Sequence, residues 1–112
     1  DAPAEYDFSG IVTPDGGHNV ADIIANRANY AGQEITLRGI VVKSSASIMN
    51  RNWLHIRDGS GEEGSNDLTI TSNDMANAGD TVLITGKLAI DKDFGAGYFY
   101  NVILEEASVV VE

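Results

Sequence analysis

A chain of 112 residues has room for one domain with a genuine hydrophobic core and not for two ordinary ones. Its apolar fraction of 43% and charged fraction of 21% are those of a soluble globular protein, and no apolar run approaches the roughly 20 residues that cross a bilayer. The absence of cysteine excludes disulfides, thiolate catalysis and zinc–thiolate sites, while a net charge of -10 opposes non-specific attraction to nucleic acid or to an anionic membrane.

The opening DAPAEYDFSG is polar, contains proline and lacks an initiator methionine. A processed secretory chain starts in this way, and so does a trimmed recombinant one; export to the periplasm or cell envelope, with a signal peptide removed, is the expectation carried forward. Residues 1–18 read as an irregular leader. NVADIIANRANYAG then predicts one short helix, with Asn19 as N-cap, Asp22 three residues on, an apolar stripe of Val20, Ile23 and Ile24, and Gly32 as the stop.

From Glu34 the period changes to that of strands. EITLRGIVVKSS, NWLHIRDG, NDLTITS, DTVLITGKLAI and YFYNVILEEASVVVE are rich in β-branched residues and are separated by Gly, Ser, Asn and Asp clusters. Val82, Ile84, Leu88 and Ile90 alternate with Thr81, Thr85, Lys87 and Asp91, which gives the fourth strand one buried face. Ile35 and Leu37 do the same in the first strand, where a bulge at Gly39 is expected to restore a parity that fails beyond it. The last strand resists assignment, because Tyr98, Tyr100, Val102 and Leu104 share one parity and Phe99 and Ile103 the other. Five antiparallel strands with a bent first member suit an all-β domain with one short N-terminal helix, a five-stranded OB-fold barrel over residues 19–112. SNDMANAGD, between the third and fourth strands, is too short for more than one helical turn, so the N-terminal helix is expected to cap the barrel instead.

Charge is segregated along the chain. Residues 35–57 hold Arg38, Lys43, Arg51 and Arg57 with no acid, whereas residues 58–80 hold Asp58, Glu62, Glu63, Asp67, Asp74 and Asp80 with no base. Either two solvated faces or a functional basic patch follows from that.

The succession AGQEITLRGIVVKS, NWLHIRDGSG, NDLTITS and AGDTVLITGKLAIDKDFGAGYFY resembles small bacterial exported OB-fold proteins described as nucleic-acid-binding. More distantly it is similar to the barrel of anticodon-binding domains, in which a glycine-bearing first strand leads to a second ending in Asp-Gly. The resemblance spans roughly residues 20–108, RNWLHIRDGSG and DKDFGAGYFY being its least generic parts, and it implies a binding barrel without naming a ligand.

In such a barrel ligands lie across strands 2 and 3, between the loop joining strands 1 and 2 and the loop joining strands 4 and 5. Those loops fall at residues 44–52 and 91–97. Leu54 and Ile56 take the inward parity of strand 2, so Trp53, His55 and Arg57 are expected to project outward, a surface on which a base could stack while Arg57, Arg51, Arg38 or Lys43 meets phosphate. The candidate ligand-binding set is Arg38, Lys43, Arg51, Asn52, Trp53, His55, Arg57, Lys92, Phe94 and Tyr98. Several members have a structural reading alongside. Trp53 at a strand start suits an anchor under a loop, Phe94 between flexible residues suits a plug in the barrel mouth, and Tyr98 with Tyr100 fits a half-buried strand.

Nothing assembles a catalytic constellation or a cofactor site. His18 and His55 belong to no metal signature, PDGG at residues 14–17 lacks the lysine and context of a phosphate loop, and Asp91 with Asp93 or Asp58 with Glu62, Glu63 and Asp67 lack the ligand spacing of an EF-hand and read as acidic turns. The expected function is a non-catalytic module, without metal or membrane insertion, for single-stranded nucleic acid or another extended anionic ligand. The alternative is an accessory module of the cell envelope whose loops grip a protein partner.

Overall fold

The computed structural model describes residues 6–112, so the first five residues of the leader lie outside the described part. Two short helices, α1 (Val20–Ala25) and α2 (Arg27–Tyr30), precede five strands: β1 (Glu34–Ile48), β2 (Arg51–Arg57), β3 (Leu68–Ser72), β4 (Thr81–Asp93) and β5 (Phe99–Val111). The protein is mostly β, a single sheet that closes into a ring in the order β1-β2-β3-β5-β4. Every neighbouring pair is antiparallel except β3 with β5. No helix among the described residues is long and apolar enough to cross a membrane.

The expected single helix is broken at Asn26, whose φ of -110° and ψ of 24° end α1 and begin α2. Asn19 caps α1 as the sequence indicates, accepting the Asp22 N–H at 2.8 Å. Two further amides of the first turn are satisfied from a distance: Val20 N–H donates to the Asp58 carboxylate at 2.8 Å and Ala21 N–H to the Ser60 hydroxyl at 3.0 Å. The D-G-S-G turn after β2 therefore finishes the helix. Val20 and Ile23 are fully buried in the same cluster as the strand interiors, so α1 closes over the core. The β3–β4 connection carries no helix and contributes Ala76 to that core.

Inward positions recur at period two: Ile35, Leu37 and Val41 on β1, Leu54 and Ile56 on β2, Leu68 and Ile70 on β3, Val82, Ile84 and Leu88 on β4. The expected bulge at Gly39 is displaced. Gly39 keeps the inward parity of Leu37 and Val41, and the extra residue is Val42, where Val41 and Lys43 oppose Ile56 and His55. What demands glycine at position 39 is proximity, because a Cβ there would stand 2.6 Å from Ile56 Cγ2 and 2.8 Å from the Arg57 carbonyl oxygen. At Ile40 β1 still pairs with β4 and already pairs with β2, and the bulge that follows turns the strand along its new neighbour. A second bulge explains the illegible last strand: Thr85 and Lys87 of β4 oppose Ser108 and Glu105 of β5, and Glu106 takes φ 51°. Leu104 faces inward before it, Ala107 and Val109 after it.

Candidate binding face on the second strand

β2 presents Leu54 and Ile56 to the core, both fully buried, and Trp53, His55 and Arg57 to the other side. Two hairpins frame that outer row. The segment expected as a loop at 44–52 is largely strand, closed by a turn at Met49 and Asn50, whose φ values of 52° and 63° suit a two-residue hairpin. The loop expected at 91–97 is likewise shorter, since β4 runs to Asp93. Its turn is held by Phe94 N–H to the Tyr98 carbonyl at 2.8 Å, Tyr98 N–H to the Gly95 carbonyl at 2.9 Å and Gly95 N–H to the Asp93 carboxylate at 2.7 Å. Gly95 and Gly97, at φ 82° and 84°, supply the left-handed backbone that this turn requires.

Both hairpins fold onto Trp53. Its indole N–H donates to the Ile48 carbonyl at 2.8 Å, and its ring meets Phe94 edge-on at 5.3 Å, Tyr100 at 5.6 Å and Tyr98 at 6.2 Å. The expectation that Trp53 projects into solvent is therefore corrected: the side chain leaves the core by the expected parity, yet it is only 6% exposed, because the chain's own hairpins cover it. Trp53 is buried without belonging to the main core cluster, and with Phe94, Tyr98 and Tyr100 it forms a separate aromatic cluster. Burial pushes the Tyr100 phenol above its ordinary value.

The cations of the face already have anions. The Arg51 guanidinium and the Lys92 ammonium stand 5.3 and 5.7 Å from the Phe94 ring centre and approach the Glu105 carboxylate at 3.7 and 3.4 Å. Arg57, whose side chain is 41% exposed, donates from Nε to Asp67 at 3.1 Å, and His55 Nδ1 lies 2.9 Å from the other Asp67 oxygen. Burial works against the Asp67 charge, yet the hydrogen bonds from His55 and Arg57 outweigh it and hold the carboxyl below its ordinary range.

Other members of the expected set have structural duties. Asn52 is a staple, its oxygen accepting Ser47 N–H at 3.0 Å and its amide donating to the Asp74 carbonyl at 3.0 Å. Arg38 is not brought to this face; it pairs with Glu112 at 2.7 Å and donates to the Val12 carbonyl at 2.7 Å, fastening leader and last residue to β1. Lys43 is exposed opposite His55, with no ion pair among the described residues.

Glu105 and Tyr100 belong to the site and were not anticipated, nor were Ile48, Met49 and Phe99, which with Tyr98 form an exposed apolar rim on the two hairpins. An open cleft of about 1060 Å³ adjoins it, lined by Arg51, Thr71, Asp74, Lys87, Lys92 and Glu105 among others. Among the described residues no three His, Asp or Glu side chains gather as a metal site. Asp58, Asp67 and Asp93 are each engaged as described above. Compared with known proteins, the chain matches no family model and no curated sequence.

Proposed function

We propose that this protein is a non-catalytic binding module of the OB type that grips a polypeptide with its two hairpins. The barrel assignment draws on the strand order β1-β2-β3-β5-β4 and on the parallel pairing of β3 with β5. The observation that carries the functional reading is the division of labour on the face. Arg51 and Lys92 are answered by Glu105, and His55 and Arg57 by Asp67, while Ile48, Met49, Tyr98 and Phe99 stand exposed on the two hairpins. A phosphate backbone would have to break those pairs and approach a chain of net charge -10. Aromatic, methionine and arginine side chains with internally balanced charge are instead the composition of a protein-interface centre. A single-stranded nucleic acid is the second reading, favoured by the exposed Tyr98 and Phe99 rings on the hairpin that also carries Lys92.

Selection of displayed random peptides on the wild type, counter-screened on the Tyr98→Ser, Phe99→Ser double variant, separates the two when run beside a low-salt titration with mixed-sequence oligonucleotides. Peptides that are enriched on the wild type and lost on the variant, with no oligonucleotide bound, are the expected result. An empty selection together with oligonucleotide binding that weakens steeply with salt hands the face to nucleic acid. Failure of both arms removes the face as a binding site.

A further inference from the structure

Ring closure leaves stretches of three strands with a neighbour on one side only, and they are not built alike. Residues 42–48 of β1 pair with β2 alone; they carry Lys43, two register shifts and the positive φ of Ser47. Residues 89–93 of β4 pair with β5 alone and carry Asp91 at φ 51°, Lys92 and Asp93. On β5, beyond the last residue paired to β3, the Val109 N–H is taken by the Asp74 carboxylate at 2.9 Å. Charges, kinks and bulges are the means by which free edges resist pairing with another chain. Residues 99–103 of β5, reading F-Y-N-V-I, also pair with β4 alone, because the β3 register begins at Leu104. They carry no charge, proline, register shift or positive φ. Phe99 and Tyr98 at their head are 54% and 42% exposed.

We infer that residues 99–103 receive an extended polypeptide strand, uncharged in its middle and basic at both ends, which adds to the sheet alongside β5. This rests on the polypeptide reading above and names how the guest is held. Main-chain hydrogen bonds to the free edge supply the register, and the exposed rings of Tyr98 and Phe99 meet its apolar side chains. Basic ends on the guest would meet the negative charge that flanks the edge. Asp93, on β4, sits opposite Phe99 at one limit, and Glu106 lies three residues beyond Ile103 past the other; both are exposed, and neither has a cation partner among the described residues.

The test uses a synthetic peptide of alternating valine and threonine with two lysines at each end, the same peptide N-methylated on alternate amides, and a version with glutamates at the ends. Binding is read by calorimetry and amide exchange by NMR on the whole chain. The lysine-ended peptide is expected to bind and to slow exchange in residues 99–103 but not in residues 42–48. N-methylation, glutamate ends, or the exposed substitution Asn101→Lys should each weaken binding by about tenfold or more. No binding of the lysine-ended peptide, equal binding of its N-methylated form, or protection outside residues 99–103 overturns strand addition. Peptides from the display selection that need Tyr98 and Phe99 yet leave exchange in residues 99–103 unchanged would keep the docking reading and end this one; an empty selection would end both.

Discussion

Trp53→Ala tests whether the indole is a structural anchor or a free platform. In the folded protein the ring is 6% exposed, packs on three aromatic neighbours and donates to the Ile48 carbonyl. Truncating a buried tryptophan costs about 3–5 kcal/mol, of which a hydrogen bond accounts for about 1 and each aromatic pair for about 0.5–1.5. The lower end applies here, because the covering turns sit at the surface and can settle into the space, and because the Ile48 carbonyl on an exposed hairpin can take up water. With an unfolding entropy of about 2.1 cal/mol/K per residue over this chain, each kcal/mol moves the midpoint by about 4 °C, so a loss near 12 °C is expected. Circular-dichroism melts of wild type and variant give that number. Acrylamide quenching of the wild type, whose only tryptophan is Trp53, independently reports its cover. A substitution at an exposed site costs about 0.5 kcal/mol or less. A melt within about 2 °C of wild type, with quenching like that of free indole, would refute the anchor and restore Trp53 as a platform.

Gly39→Val places a branched side chain 2.6 Å from Ile56 Cγ2 and 2.8 Å from a main-chain oxygen, and urea unfolding should show a loss of about 2–3 kcal/mol. Asp58→Ala removes the distant cap on Val20 N–H; about 1 kcal/mol of stability and faster exchange at the Val20 and Ala21 amides are expected, and unchanged exchange would disprove the capping role. For Asp67 the folded carboxyl lies below its unfolded value, so its contribution is fully present above that value and is lost as pH falls through the folded one. The stability advantage of wild type over Asp67→Asn should therefore hold at neutral pH and shrink below about pH 4 in denaturant titrations. An advantage that grows on acidification would contradict that sign.

Period-two alternation locates the inward rows of β2 and of most of β4 without coordinates, because each of those stretches keeps one register along its length. The N-cap at Asn19 and the helix over the core are equally legible, being local signals. Where the reading fails, a residue has been inserted. β1 and β5 each carry a bulge, at Val42 and Glu106, and a single extra residue exchanges the two faces for everything that follows. Gly39 attracts attention in the sequence but answers to a close approach by Ile56 and Arg57, which no local pattern encodes. Parity likewise tells which side of β2 bears Trp53 and not what covers that side. The cover comes from Phe94, Tyr98 and Tyr100, some forty residues away and brought over by the β4–β5 hairpin.

The segregated charge in the sequence has the same origin. A basic block followed directly by an acidic one suggests two faces, yet β2 and β3 are successive antiparallel strands, so residues near the junction fold back on each other. Arg57 and His55 from one block meet Asp67 from the other, while Arg51, near the far end of β2, finds Glu105 on β5 and Arg38 finds Glu112. Separation along the chain thus becomes neutralisation in space. A basic patch read from sequence is a patch only if its cations lie on elements whose neighbours bring no acid, and in this sheet Asp67, just before β3, and Glu105 of β5 each supply one. Of the cations placed on β2, none is left unanswered for a phosphate, and it is this that turns the proposed recognition toward the uncharged rim and the open edge beside it.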